Sequence, residues 1–369
     1  MRGRCGVAIH SLLGENSVLA RHSVGEVLQR GWRYLTDADY RWQIEAAHGR
    51  YDDMPDEVYL RLKWRHTMGY DLDLEHPRTF NEKLQWLKLF DRRSIYTQMV
   101  DKYRVREFVA QKIGAEHLIP SLGVWDSPDE IDFAALPEQF VLKCNHNSGT
   151  GMCVCTDKSQ LDTARVKAEL RRGLSENYYL HGREWPYKDV PRKIVGEKFM
   201  VDESGTELKD YKIFCFDGEP RMIQVDYDRF CGHKRNLYTL DWQYIPAEIE
   251  YPTDPEHVIP RPKPLEEMLD LARTVSAGFP HVRTDFYVIG RQIYFGELTF
   301  YHGSGHEHMR PAELGLRMGD WLTLPDPTGV VVASTGGRQC SFCGVSFHSW
   351  SYTGYGNTAA YGADAREAA

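Results

Sequence analysis

Two acidic residues in the C-terminal third of the chain give the clearest chemical signal. Residues 281–289 and 292–300 alternate apolar and polar side chains around a glycine-containing turn, which predicts a β-hairpin. A three-residue loop at 290–292 places Asp285 directly opposite Glu297. A two-residue loop would turn Glu297 toward the apolar face, where an unpaired carboxylate is costly. The sequence therefore predicts that both carboxylates lie on one polar face of the hairpin.

Arg283 and Thr299 share this polar face in the predicted register. Two carboxylates about 5 Å apart at Cβ can hold a divalent cation together. Arg283 can also neutralise both acids, so a magnesium site and a salt bridge are rival interpretations that can coexist. The opposite, apolar face of the predicted hairpin holds Val282, Phe286, Val288, Tyr294, Leu298 and Phe300.

A lysine followed by a small polar turn forms a second candidate site. Lys143 lies in a predicted strand at 140–144, and a second strand is predicted at 152–156. A turn of this kind can point backbone N–H groups at phosphate oxygens, with the lysine charge beside them. An ordinary hairpin is the alternative, because Asn, Ser and Gly are common turn residues. The turn residues concerned are Asn145, His146, Asn147, Ser148, Gly149 and Gly151.

Two further segments contain charged residues at strand ends. A predicted strand at 193–201 includes Glu197 and Lys198, and the next strand, at 210–216, begins with Asp210 and Lys212. Such strands can present backbone groups to an adenine, a carboxylate to a ribose and an ammonium to a phosphate. Taken alone, they also fit a plain strand pair with charges facing solvent.

The remaining elements have to position these residues. Helical spacing of apolar residues predicts helices at 80–90, capped by Thr79 or Asn81, and at 95–113. Further helices are predicted at 161–177 and 264–278, and a further strand at 221–227. Helices interleaved with hairpins indicate an α+β protein with largely antiparallel sheets.

Composition restricts the class of protein. The chain has 369 residues and a formal net charge of −8, which argues against nucleic-acid binding by phosphate neutralisation. No apolar run is long enough to span a membrane. The eight cysteines are scattered in a long chain, which favours reduced thiols and a cytoplasmic location.

Several long blocks, in order, resemble the TupA-like branch of the ATP-grasp superfamily, which is linked to bacterial polysaccharide and teichuronopeptide biosynthesis. The resemblance runs from about Pro77 to Leu324. Its blocks are Thr79-Phe-Asn-Glu-Lys-Leu-Gln-Trp-Leu-Lys-Leu, Asp101-Lys-Tyr-Arg-Val-Arg, Val141-Leu-Lys-Cys-Asn-His, Asp210-Tyr-Lys-Ile-Phe-Cys-Phe-Asp-Gly and Phe295-Gly-Glu-Leu-Thr-Phe-Tyr.

The resemblance implies a role for each candidate residue. Lys143 would contact the α- and β-phosphates of ATP, and the turn from Asn145 to Gly151 would cover the triphosphate. The hinge on the adenine would consist of Glu197, Lys198, Phe199 and Met200. Asp210 would bind the ribose, and Lys212 the terminal phosphate. Arg235 and Asn236 would contact the transferred phosphoryl group, Arg283 the acyl phosphate, and Asp285, Glu297 and Thr299 the Mg²⁺ ion. Many ATP-grasp enzymes have Asn where this chain has Thr299.

The resemblance also implies the domain organisation and the reaction. A helical extension at 1–76 would precede a catalytic region at 77–328 and a flexible tail at 329–369. Within the catalytic region, the small subdomain would cover about 120–200 and the metal-binding subdomain about 201–328. The implied enzyme is a carboxylate–amine ligase that forms an amide through an acyl phosphate, with a sugar acid, amino acid or peptide among its substrates. A kinase of a glycan or small-molecule hydroxyl and a metal-dependent glycosyltransferase are the alternatives.

Three weaker signals remain open. Trp185 and Tyr187 can stack on a sugar or anchor their loop. The histidines at 302–308 suggest a zinc site only weakly. A single CxxC motif, Cys340 to Cys343, is weak evidence for redox or metal chemistry.

Overall fold

The computed structural model describes residues 24–203, 208–227 and 233–325, together with the backbone of two strands at 333–339 and 346–351. The chain divides into two compact units, residues 1–55 and 56–369. In the first unit, helix α1 (Val24–Thr36) precedes helix α2 (Ala38–Ala47), which Asp37 caps by accepting a hydrogen bond from the Tyr40 amide. No helix in the described residues is both long and apolar enough to cross a bilayer.

The second unit begins with four helices, which lead into a four-stranded sheet. The helices are α3 (Asp56–Met68), α4 (Phe80–Phe90), α5 (Ile95–Val100) and α6 (Val105–Ile113). The small sheet is built from β1 (Ser121–Trp125), β2 (Phe140–Cys144), β3 (Met152–Cys155) and β4 (Ile194–Lys198), and between β3 and β4 lie α7 (Thr163–Ser175) and α8 (Tyr179–Gly182). Its order is β1-β4-β2-β3, every pair is antiparallel, and α7 packs on β2 and β3.

A six-stranded antiparallel sheet follows. Its strands are β5 (Asp210–Phe216), β6 (Glu219–Tyr227), β7 (Lys234–Tyr238), β8 (Tyr244–Ile245) and, after β9 (Glu248–Ile249) and helix α9 (Leu265–Ser276), β10 (His281–Ile289) and β11 (Gln292–Thr299). The order is β11-β10-β5-β6-β7-β8. Strand β12 (Met309–Arg310) pairs with β9, and helix α10 (Glu313–Trp321) packs on α4. The predicted α+β class with antiparallel sheets is therefore confirmed.

Two strands lie within residues 329–369, the segment predicted to be a flexible tail. Strand β13 (Ala333–Gln339) pairs antiparallel with β14 (Ser346–Ser351). Cys340 and Cys343 lie outside the described residues. The cysteines within the described residues, Cys144, Cys153, Cys155 and Cys215, are free thiols.

The helix predicted at 95–113 is in fact two helices, because Asp101 interrupts it. The Asp101 Oδ1 atom accepts hydrogen bonds from the amides of Tyr103 (2.9 Å) and Arg104 (3.3 Å), and from Asn145 Nδ2 (2.8 Å). These contacts end α5 at Val100 and tie the start of α6 to the end of β2.

Helix α4 starts as the sequence predicts. Thr79 is its N-cap, and a reciprocal capping box joins the Thr79 hydroxyl to the Glu82 amide and the Glu82 carboxylate to the Thr79 amide. Phe80 and Leu84 are fully buried against the large sheet, where Phe80 lies edge-on to Phe214. The helix thus packs its apolar side on the sheet that carries the candidate carboxylates.

The predicted three-residue loop of the β10–β11 hairpin is wrong, but the predicted pairing of Asp285 with Glu297 is confirmed. Ile289 pairs with Gln292, so the loop has two residues, and the register then shifts at Gly296. This β-bulge brings Asp285 directly opposite Glu297. Tyr294, predicted on the apolar face, pairs instead with Tyr287 on the face of Asp285; Ile293 and Phe295 are the buried residues of this stretch.

Candidate functional site

A buried cluster of charges is centred on Asp285. Lys212 lies on the neighbouring strand β5, directly paired with Asp285. Its Nζ atom is 2.5 Å from Asp285 Oδ2 and 2.6 Å from Asp210 Oδ2. All three side chains are almost completely buried. Burial alone lowers the pKa of Lys212, but Asp210 and Asp285 overcome this effect, and the net shift is upward. Lys212 therefore remains an ammonium between two acids.

Arg283 connects Asp285 to Glu297. Its Nε and Nη2 atoms donate to the two oxygens of Asp285 at 2.7 and 2.6 Å. The same Nη2 donates to Glu297 Oε1 (3.2 Å) and to Thr299 Oγ1 (3.0 Å). The salt-bridge interpretation is thus realised in this structure, and all four predicted residues of the polar face are brought together.

Glu297 is the accessible acid of the cluster, with 41% of its side chain exposed. The crowding around it raises its pKa, but Lys102, Arg283, Lys212 and Lys143 outweigh this effect and lower the pKa to about 2. Glu297 is consequently ionised at neutral pH.

The oxygens of this cluster suit a magnesium ion better than a softer metal. Two carboxylates and a hydroxyl are hard ligands, and Mg²⁺ usually takes one or two carboxylates together with phosphates and water. Both contacts recorded for the Glu297 carboxylate use Oε1, and the group is accessible. Asp285, by contrast, is fully paired with Arg283 and Lys212. No group of three or more His, Cys, Asp or Glu side chains arranged for a metal is found within the described residues. The donor set therefore fits Mg²⁺ held mainly through Glu297, with Asp285 and Thr299 beside it.

Two lysines outside the large sheet lie in the same region: Lys143 on β2 of the small sheet, and Lys102 in the turn between α5 and α6. Lys143 Nζ lies 2.6 Å from Glu197 Oε2, a residue of the adjacent strand β4. Lys102 Nζ donates to the backbone oxygen of Asn147 at 2.5 Å. Burial lowers the pKa of Lys102, while Glu297 and Glu197 oppose that shift. The charges of Lys102 and Lys143 both lower the pKa of Glu297. Sequence reasoning missed Lys102, although it lies in one of the quoted blocks.

The turn after Lys143 is anchored at both ends and exposed at its tip. Asn145 is fully buried, and its amide joins Asp101, Pro191 and Lys193. His146 and Asn147 are buried against the end of α7, where Asn147 Nδ2 bonds Glu176 Oε2 at 2.8 Å. Burial lowers the pKa of His146 to about 4, so its ring is neutral.

The glycines of this turn differ in what they allow. Gly151 has a φ of +69°, and an added Cβ would lie 2.7 Å from the Gly173 Cα atom. Ser148 and Gly149 are exposed, and a Cβ at Gly149 would meet nothing within 4 Å. Only the tip therefore has room to move toward a ligand. The predicted contacts of Asn145, His146 and Asn147 with phosphate stay predictions, since these side chains are committed to the anchor.

The predicted adenine hinge lies at the end of β4. Glu197 and Lys198 are its last two strand residues, and Phe199 and Met200 follow in an irregular segment. Lys198 is exposed, whereas Phe199 and Met200 are half-buried. The structure thus leaves this run accessible along one side, and its contact with adenine stays a prediction.

Arg235 lies outside the Asp285 cluster, in a buried ion-pair network. It donates from Nε to Asp226 (2.7 Å) and from Nη1 to Glu307 (2.8 Å). Glu307 Oε2 lies 2.8 Å from His302 Nε2, the ring nitrogen that faces this carboxylate. His302 Nδ1 in turn accepts from Arg283 Nη1 at 2.6 Å. Since arginine only donates, His302 is neutral, as the burial that lowers its pKa requires. Arg235 thus reaches Arg283 through two intermediaries.

Asn236, the neighbour of Arg235, holds the 253–257 loop. Its amide oxygen accepts from the Asp254 amide (2.9 Å), and its Nδ2 donates to the Asp254 carbonyl (2.9 Å). The side chain is buried. Its predicted contact with a phosphoryl group therefore stays a prediction without structural support.

Helix α4 carries a polar stripe that sequence reasoning passed over. Asn81, Gln85 and Lys88 recur at helical spacing and are all buried. Asn81 Nδ2 donates to the carbonyl of Glu307 (2.8 Å), and Gln85 Nε2 to those of Ser304 (3.0 Å) and Gly305 (2.9 Å). The stripe therefore holds the loop that follows β11. The signal was available: three polar residues at i, i+4 and i+7 on one side of an otherwise amphipathic helix.

Comparison with solved structures gives weak matches to ligases. The chain aligns with a D-alanine–D-alanine ligase from Bacillus anthracis complexed with ATP at 12% identity and a TM-score of 0.33, covering 55% of this chain and 54% of that one. The corresponding ligase from Helicobacter pylori aligns at 13% identity and a TM-score of 0.34, with 62% and 60% covered. A D-cycloserine synthetase aligns at 15% identity and a TM-score of 0.34, with 61% and 69% covered. The chain thus spans little more than half the length of the first two ligases. No curated protein sequence matches significantly.

A family model gives the assignment. The model described as TupA-like ATPgrasp matches residues 82–323, well over half of the chain. This range includes α4 from Glu82 onward, both sheets up to β11 and every residue that meets at Glu297. The chain therefore belongs to the TupA-like ATP-grasp family, and its α+β fold is of the ATP-grasp class.

Proposed function

We propose that the chain is an ATP- and magnesium-dependent carboxylate–amine ligase. The observation that supports this most directly is the concentration of positive charge around one accessible, ionised carboxylate. Glu297 is 41% exposed and is held ionised by cations from the large sheet, from the small sheet and from the turn between α5 and α6. These cations are Lys102, Lys143, Lys212 and Arg283. A polyphosphate with its divalent ion needs such a combination of cations and a hard oxygen ligand.

In this proposal the nucleotide lies against the small sheet. Lys143 contacts the α- and β-phosphates, with Lys102 beside it, and the exposed tip at Ser148 and Gly149 closes over the triphosphate. The backbone at 197–200 contacts adenine, and Asp210 the ribose. Lys143 now pairs with Glu197, so nucleotide binding exchanges a carboxylate partner for phosphate oxygens.

The large sheet holds the reacting end. Glu297, with Asp285 and Thr299, would hold magnesium, which when bound neutralises phosphate charge. Lys212 contacts the terminal phosphate, and Arg283 stabilises the acyl phosphate. Arg235 acts through Glu307 and His302 on Arg283.

The proposed reaction has two steps. A substrate carboxylate oxygen attacks the γ-phosphorus, the bond from that phosphorus to the β,γ-bridging oxygen breaks, and ADP leaves. The amine nitrogen then attacks the acyl carbon, phosphate leaves, and the nitrogen gives up a proton. Cations around the cleft stabilise the charge that develops in both steps. Water has to be excluded from the acyl phosphate, which is the role proposed for the tip at 148–149. The acid and amine are drawn from sugar acids, amino acids and peptides.

The test uses purified protein with Mg-ATP and pools of acids and amines, followed by mass spectrometry. We expect ADP and phosphate to be released only when an acid and an amine are both present, with a product lighter than their sum by one water. Lys143→Ala and Glu297→Ala should each lower turnover at least about a hundredfold. Lys167→Ala and Glu219→Gln, which change exposed residues, are the matched controls.

Three other outcomes would contradict the proposal. A phosphoester formed without any amine would indicate a kinase. Binding of a sugar nucleotide in preference to ATP would indicate a glycosyltransferase. If Glu297→Ala turned over at the wild-type rate, the assignment of the active site to the residues around Glu297 would be wrong.

A further inference from the structure

A second surface, built from residues 178–187, lies next to the loop that follows β11. Lys88 joins the two segments: its Nζ atom donates to the Gly182 carbonyl (2.8 Å), the Ser304 carbonyl (2.8 Å) and the Ser304 hydroxyl (2.9 Å). The contact is close, since a Cβ added to Gly182 would lie 2.0 Å from Ser304 Oγ. Two residues before Ser304, His302 accepts from Arg283. The 178–187 segment is thereby fixed to the reacting side of the cleft.

Two tyrosines of this segment form an open aromatic corner. The rings of Tyr178 and Tyr187 meet edge to face with centroids 4.8 Å apart, and both side chains are half-buried. Neither hydroxyl bonds to any residue that the structure describes, and neither is among the buried polar atoms without a partner. The hydroxyls therefore reach solvent. Trp185, by contrast, is buried in the core against Tyr96, so it anchors the segment and Tyr187 is the accessible ring.

Nearby charges shift the pKa of both tyrosines. Burial raises the pKa of both, Glu184 and Glu297 raise it further, and Arg283 opposes them. Both hydroxyls thus stay protonated and can donate or accept. Glu184 itself is buried beside Ser304, and burial raises its pKa despite the opposing charge of Lys88.

From this arrangement we propose that Tyr178 and Tyr187, with Glu184 behind them, bind the sugar ring of a substrate that carries the reacting amine or carboxylate. Aromatic faces cover the C–H face of a sugar, and the two free hydroxyls bond its hydroxyl groups. A right-angled pair of rings suits a six-membered ring better than a flexible aliphatic chain. The inference rests on the proposed function and adds the class of one substrate to it: a hydroxylated ring, rather than a free amino acid.

The test is saturation-transfer NMR on the full chain with two sets of probes. One set holds glucosamine, galactosamine, glucuronic acid and galacturonic acid; the other holds ethanolamine and D-alanine, which carry the same reactive groups without a ring. We expect ring-proton signals from at least one sugar and none from the small probes. Tyr187→Ala should weaken sugar binding at least about tenfold, and Tyr187→Phe less, because it keeps the aromatic face. Tyr70→Ala removes an exposed ring elsewhere and should change nothing.

The outcomes separate this inference from the proposed function. Loss of the sugar signals on addition of ethanolamine or D-alanine, the absence of signals from every sugar, or unchanged sugar binding in Tyr187→Ala would each overturn the subsite. ATP binding is measured in the same samples: its retention in Tyr187→Ala shows that the variant is folded. Failure of the wild type to bind ATP would count against the ligase and leave the sugar result to be decided by its own signals.

Discussion

Asp285 and Glu297 face each other because a bulge takes Gly296 out of the pairing between β10 and β11. From the two-residue loop to Phe286, the strands pair in one register, with Ile289 opposite Gln292. Beyond the bulge, the pairing is shifted by one residue, with Asp285 opposite Glu297. In a regular ladder with this loop, Glu297 would lie opposite Thr284 on the buried face. A single glycine thus decides whether this carboxylate faces the cleft or the core.

Deletion of Gly296 should therefore be milder than its substitution. Without the extra residue the ladder becomes regular, and Asp285 still pairs with Glu297. Gly296→Val keeps the extra residue but adds a Cβ only 3.1 Å from the Asp285 carbonyl oxygen. We expect the deletion to keep Mg-dependent binding of an ATP analogue and the valine variant to lose it, with the lower thermal midpoint. The reverse order would contradict the role of the bulge.

Lys102 should control the ionisation of Glu297. It is the first of the cations that hold the pKa of this acid near 2. In Lys102→Met we expect the pKa of Glu297 to rise, as followed by carboxyl-carbon NMR between pH 2 and 6 (about the range in which carboxyls titrate). Lys112→Met, at the end of α6, is the control. An unchanged titration would mean that the charge of Lys102 does not act on Glu297.

Glu307 should stabilise the folded protein at neutral pH and lose this effect as the pH falls. Burial raises its pKa, but His302 and Arg235 outweigh this and lower it from 4.5 to about 2. A carboxylate with a lowered pKa stabilises the fold above its unfolded value, and the contribution disappears as pH falls through the folded value. The stability difference between wild type and Glu307→Gln should therefore be on the order of 2–3 kcal/mol above pH 5 and shrink toward pH 2.

Urea unfolding of both proteins at several pH values measures this difference. Glu219→Gln, at an exposed ion pair with Arg273, is the matched control and should differ little from wild type at any pH. A difference that stays constant down to pH 3 would show that the Glu307 network is not the source.

Lys88 should stabilise the folded protein through its buried hydrogen bonds. Its Nζ atom satisfies two backbone carbonyls, a hydroxyl and Gln85 Oε1, all inside the protein. Burial lowers its pKa to about 7, and the charges of Glu184 and Asp56 oppose that shift. Lys88→Met leaves those acceptors without a donor and should cost about 2–4 kcal/mol in the free energy of unfolding. Chemical denaturation measures it, beside Lys112→Met. A cost below that of the control would contradict the joining role.

The sequence predicts features of the fold that depend on neighbouring residues better than features that depend on residues far apart in the chain. The capping box of α4, the antiparallel sheets and the pairing of Asp285 with Glu297 follow from local patterns and from the cost of burying a carboxylate. The break at Asp101 does not, because it depends on Asn145, far along the chain. The bulge at Gly296 replaces the predicted loop because both satisfy the same polar alternation, and pattern alone cannot separate them.

The site shows the same division. The sequence brings Arg283, Asp285, Glu297 and Thr299 onto one face, but Lys102 lies in the turn between α5 and α6 and acts on Glu297 only through the tertiary fold. The commitment of Asn145 and Asn236 to anchoring contacts is likewise invisible to residue type, since Asn suits a turn, a ligand and an anchor equally.

The polar stripe of α4 has a consequence for the order in which the chain assembles during synthesis. Gln85 and Lys88 bond atoms of residues 304 and 305, more than 210 positions later. On a ribosome, α4 and the small sheet emerge long before that loop exists. Until then, the amide and the ammonium of the stripe must stay hydrated, so α4 cannot dock in its final form on an apolar surface. We expect the surface around Tyr187 to be the last part of the cleft to form, and a nascent chain released before residue 305 to lack it.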